Sequence, residues 1–153
     1  MLARIQTVYL FIAALLAVAS MFVPFWSFSA AELVYFRDFG AMEAAGLVQV
    51  SASYAAGIFS PLTAIAAIAA IFLYRNRTLQ AQLIGLSVVL FVCDLLSGLV
   101  AAHFMNEYFE QSAAVSHNPE AGLFMMLPEP VLLWLALKGV KKDDKIANAY
   151  KRL

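Results

Sequence analysis

Two carboxylates stand inside apolar stretches. Asp94 interrupts the run from Leu79 to about Ala102, and Glu129 lies between Pro128 and Pro130 in the run from about Gly122 to Val140. An acid at the centre of a bilayer costs about 2.5–3.5 kcal/mol on insertion scales, so each must face other protein and find a partner. At 1.5 Å of helix rise per residue, Asp94 lies about 22 Å from one edge of its run and Glu129 about 13 Å from the opposite edge. Across roughly 30 Å of hydrocarbon those depths differ by about 5 Å, so the two can meet. Neighbouring carboxyls share a proton, because both do not readily ionise side by side. This chemistry suits a proton- or cation-binding site in a transporter or ion-coupled complex. The structural alternative is that both acids are protonated and hydrogen-bond serines, or the carbonyls of Phe124 and Met126 that the prolines release. No Lys, Arg or His accompanies the pair at that depth, and no internal repeat of the kind common in transporters is visible.

Other reactive residue types lead nowhere comparable. His103 and Glu107 fall at i,i+4, with Glu110 on nearly the same face and His117 in the following loop. Imidazole and carboxylate suit zinc, but this spacing matches no established ligand motif, so no metal is assigned. Cys93 is the single cysteine, which excludes an intramolecular disulfide. There is no glycine-rich phosphate loop, Ser-His-Asp set or CxxC pair. The expectation is a protein without catalysis or cofactor.

The elements that carry the two acids follow from composition. The 153 residues are 63% hydrophobic and 13% charged, against roughly 45–50% and 25% in soluble domains. A soluble fold would expose large apolar patches, a disordered chain would be less hydrophobic, and ten basic residues balance ten acidic ones with no basic domain for nucleic acid. An all-α integral membrane protein remains, a single four-helix bundle with spans at about 5–28, 53–74, 79–102 and 122–140. The first span imitates a secretory signal, yet its apolar run continues through Met21–Trp26, longer than a signal core. It is read as a retained span that Pro24 kinks or ends. Small residues give the helices close-packing faces: Ala13, Ala17 and Ser20 on the first; Ala52, Ala56, Ser60, Ala64 and Ala67 on the second; Ser87, Ser97, Gly98 and Ala101 beside Asp94 on the third.

Basic residues set the orientation. Arg4, Arg75, Arg77, Lys138, Lys141, Lys142, Lys145, Lys151 and Arg152 fall on one side with two acids; Arg37 falls on the other with six. Both termini are therefore expected in the cytoplasm. The first outer loop, Ser29–Gln49, has two apolar pieces, Leu33–Phe36 and Leu47–Val50, that suit a small β-hairpin, while Glu43 and its alanines suit a short helix instead. The second begins as an acidic helical extension and breaks near Asn118-Pro119. The basic tail attracts anionic headgroups or docks a cytoplasmic partner.

Three motifs lie on the cytoplasmic edge: Arg4-Ile5-Gln6-Thr7-Val8-Tyr9-Leu10, Tyr74-Arg75-Asn76-Arg77-Thr78-Leu79-Gln80, and Ala136-Leu137-Lys138-Gly139-Val140-Lys141-Lys142-Asp143-Asp144. In order and spacing the chain resembles a bacterial four-span membrane family, domain of unknown function 4293. Family tails run on to an Asp-Arg-Leu-Arg-like ending, where this chain has Tyr150-Lys151-Arg152-Leu153. The resemblance implies four spans and a bacterial cytoplasmic (inner) membrane, and no activity. Arg4, Gln6, Arg75, Asn76, Arg77, Lys141, Lys142 and Asp143 are the candidate cytoplasmic contact surface. The leading expectation is a non-catalytic accessory or assembly subunit among other membrane subunits. The second is a small proton- or cation-coupled transporter using Asp94 and Glu129.

Overall fold

A computed structural model describes residues 2–29, 32–111 and 116–150. Five helices are present among them: α1 Leu2–Ser20, α2 Leu47–Phe72, α3 Arg77–Glu110, α4 Ala121–Met126 and α5 Glu129–Tyr150. Three strands, β1 Trp26–Ser29, β2 Leu33–Phe36 and β3 Ser116–Pro119, form a small sheet of order β2-β1-β3. Three helical stretches are long and apolar enough to cross a membrane: Leu47–Phe72, Arg77–Glu110 and Ala121–Ala147. The apolar part of α1, Ile5–Ser20, is shorter.

The first span is cut short by its own proline. Phe22 and Val23 close a turn on the carbonyls of Ala19 and Ser20, and Pro24 has no N–H with which to resume the helix. The chain turns into β1 instead, so the expected helix over 5–28 ends at Ser20. β1 pairs antiparallel with β2, Trp26 opposite Phe36, and with β3, Trp26 opposite Pro119. The hairpin expected in the first loop is therefore present, but its partner strand is Trp26–Ser29. Leu47–Val50 instead opens α2, because Gly46, at φ 94°, supplies the left-handed turn between a short 3-10 helix, Glu43–Ala45, and the new helix. The presumed break at Asn118-Pro119 is the third strand.

Pro61 lies inside α2 without ending it, and α3 runs on through the acidic extension to Glu110. The chain leaves the helix at Leu127-Pro128, and Pro130 falls in the first turn of α5, where a missing N–H costs nothing. The small-residue stripes face inward: Ala13, Ala17, Ala56, Ser60, Ala64, Ala67, Ser87, Gly98 and Ala101 are buried, while Ala52 and Ser97 are half-buried. Two apolar clusters result. One, around Leu10, Ala67, Ile84 and Leu133, fills the end of the bundle that holds the chain termini; the other, around Phe25, Phe28, Phe36, Phe91 and Phe109, fills the sheet end. Val8, Phe11, Leu15, Ile58, Ile65, Val89 and Leu96 point outward, an apolar belt suited to lipid.

Candidate functional site

Asp94 and Glu129 lie at the junction of the two clusters. On α3, Asp94 follows Phe91 of the sheet-end cluster by one turn; Glu129 stands between Met126 of that cluster and Leu133 of the other. Both are buried, at 5% and 1% exposure, and they lie within electrostatic reach of each other.

A third acid joins them. Asp38, in the loop after β2, acts electrostatically on Asp94. The sequence pointed away from it: beside Arg37 in a polar turn, Asp38 reads as an ordinary solvated acid. Its position depends on how the loop is pinned to α2. Gln49 is fully buried, accepts from the backbone N–H of Met42 at 2.8 Å and donates to the carbonyl of Gly40 at 3.3 Å. Phe39 takes a left-handed φ of 59° and lays its ring on Gly57, where a Cβ would come within 2.6 Å of it. A bulky residue in that conformation is strained and persists only because its surroundings hold it.

Hydroxyls complete the site. Ser60 stands within hydrogen-bonding reach of Asp94, yet its hydroxyl donates to the carbonyl of Ala17 at 2.8 Å. Ser20 donates to the same carbonyl at 2.9 Å, 3.4 Å from Ser60. Among the described residues, the buried Ser53 Oγ, Asn106 Oδ1 and Glu129 Oε1 have no hydrogen-bond partner. An unmatched buried oxygen costs about 1–3 kcal/mol, more for a charged group.

Burial raises the Asp38 carboxyl to about 6 from an ordinary 3.8. The fold keeps Asp38 protonated where the unfolded chain has already released its proton. The stability it lends is therefore full below about pH 4, falls as pH rises to about 6, and is flat above. Asp38→Asn should remove that slope: thermal melts from pH 4 to 7 should show the variant gaining on the parent chain, with the gain complete above pH 6. Parallel curves would contradict the placement of Asp38.

The remaining candidates lie elsewhere. His103 and Glu107 are exposed and 3.9 Å apart, and among the described residues no group of three or more possible ligands gathers. His117 instead accepts a hydrogen bond from the Trp26 indole at 3.3 Å across β1 and β3. At the termini end the three sequence motifs meet one another. Gln6 is buried and donates to Asp143 Oδ2 at 2.8 Å, and Arg77 donates to the Asp143 carbonyl. Asn76 caps α3, accepting from the N–H of Leu79 at 3.2 Å. These residues fasten α1, α3 and α5 together, which removes Gln6 from an outward contact surface. Arg75, Lys141 and Lys142 stay exposed. Arg4 lies in the first turn of α1, and its side chain is outside the described residues.

These features define a mostly helical protein with helices long and apolar enough to cross a membrane and an acidic site between them. The chain belongs to the family described as a domain of unknown function (DUF4293), which matches residues 2–153. No curated protein and no solved structure matches it.

Proposed function

We propose that this is a non-catalytic, four-span accessory subunit of a bacterial cytoplasmic membrane, with both termini cytoplasmic, whose outer loop responds to protonation of Asp94 and Glu129. The observation that carries this reading is the approach of Asp38, on the loop, to Asp94, in the bundle. Protonated, the interior acids leave the loop seated on α2. Ionised, Asp94 repels Asp38, and the strained Phe39 turn is the weakest point of attachment. Proton binding inside is thereby expressed as loop position outside, where another subunit can read it.

The transport reading is less well supported. Leu10, Ile84 and Leu133 are fully buried on the termini side of the acids, among close-packed alanines, so an ion entering from the sheet side meets a dry apolar plug. Orientation rests on nine basic residues falling on the termini side.

Hydrogen exchange of residues 37–42 in vesicles, corrected for the intrinsic pH dependence, tests the coupling. Exchange should quicken several-fold as pH is raised in the parent chain and stay level in Asp94→Asn/Glu129→Gln. The same pH response in both proteins would refute it.

A further inference from the structure

We propose that the termini end of the bundle carries a binding site for an anionic phospholipid, between α3 and the exposed face of α5. This rests on the membrane reading and not on the acidic site. Two adjoining hollows, of about 520 and 510 Å³, share Leu137, Lys141 and Lys145. The first continues past Trp134, Lys138 and Lys142; the second crosses to Arg77, Ala81 and Gly85 on α3.

The residue types follow the order of a lipid. Trp134, Lys138, Lys141, Lys142 and Lys145 recur at helical spacing on α5 and are exposed. Lys138 holds its ammonium 5.0 Å from the centre of the Trp134 ring, an apolar body with a cationic head beside it. Deeper in the bundle the walls turn apolar, with Leu137 and Val140 facing Ala81 and Gly85. At Gly85 an added Cβ would meet nothing within 4 Å, so the missing side chain leaves a notch of open space there. A phosphate among the lysines with an acyl chain along the Gly85 notch satisfies both halves. Basic hollows between membrane helices on the cytoplasmic side are suited to such headgroups. A soluble anion would leave the apolar half empty, and an acidic peptide would bring backbone polar groups against it.

The test uses the full chain purified in mild detergent and sprayed under native conditions with equal phosphatidylglycerol and phosphatidylethanolamine. Phosphatidylglycerol should be retained about tenfold better, since two lysines near a headgroup supply enough attraction for that ratio. Lys141→Gln/Lys145→Gln should bring the two lipids to parity. Gly85→Phe, which fills the notch and leaves every lysine, should weaken phosphatidylglycerol several-fold. Soluble glycerol phosphate should not be retained. Equal retention of the two lipids by the parent chain, an unchanged preference in the double lysine variant, or tight binding of glycerol phosphate would each overturn the site. Extraction of the chain without detergent would instead signal failure of the membrane reading. Circular dichroism of each variant confirms that lost retention is not lost folding.

Discussion

Replacing Phe28 with alanine should lower stability by about 3–5 kcal/mol, the range for deleting a buried aromatic side chain. Phe28 is fully buried on the central strand, its ring 5.6 Å from that of Phe109 on α3 and near Phe25 and Phe36 within the sheet-end cluster. β1 has a neighbour on each edge, so it cannot slide to fill the hole without breaking its register with both. Thermal unfolding in detergent, followed by circular dichroism, measures the loss. A melting point within a degree or two of the parent would mean the sheet is not fixed to the helices.

Gly122→Val should be nearly as damaging, by about 2–3 kcal/mol, through overpacking where nothing can give way. The N–H of Gly122 donates to the carbonyl of Pro24 at 2.8 Å, and a Cβ there would lie 2.7 Å from that oxygen and 2.9 Å from the carbonyl oxygen of Val23. These are backbone atoms, held by Phe25 donating to Phe36 and accepting from Glu120. Gly85→Ala is the matched control. With open space around its Cβ and a helical backbone, it should be neutral or stabilising by up to about 1 kcal/mol. Unfolding temperatures of the two variants should therefore move apart; equal shifts would contradict the close approach at Gly122.

Much of the helical core was legible because lipid-facing and packing residues differ in size. The alanine and serine stripes of α1, α2 and α3 are the faces that bury, and the two span acids converge because depth along a helix can be counted. Local rules failed where long-range pairing decides. Trp26–Ser29 looked like the end of a span until Pro24 ended the helix and β2 and β3 supplied partners. Leu47–Val50 has strand-like residues, yet the left-handed Gly46 directs it into α2. Asp38 was invisible for the same reason: Gln49 and Gly57, a loop away, bring it to Asp94. The three motifs at the termini end were found, but not their bonding to one another, since nothing in their spacing announces that Gln6 and Asp143 bond across nearly the whole chain.

That last pairing carries a consequence for biogenesis. Asp143 offers its side chain to the first helix and its main-chain carbonyl to the third, so one residue near the end of the chain closes three helices at once. During synthesis α1 and α3 are made well before this residue exists, and until then Gln6 has no Asp143 to meet. A chain stalled before α5 leaves that amide and guanidinium without Asp143 at this end of the bundle, a polar flag by which an unfinished molecule differs from a finished one.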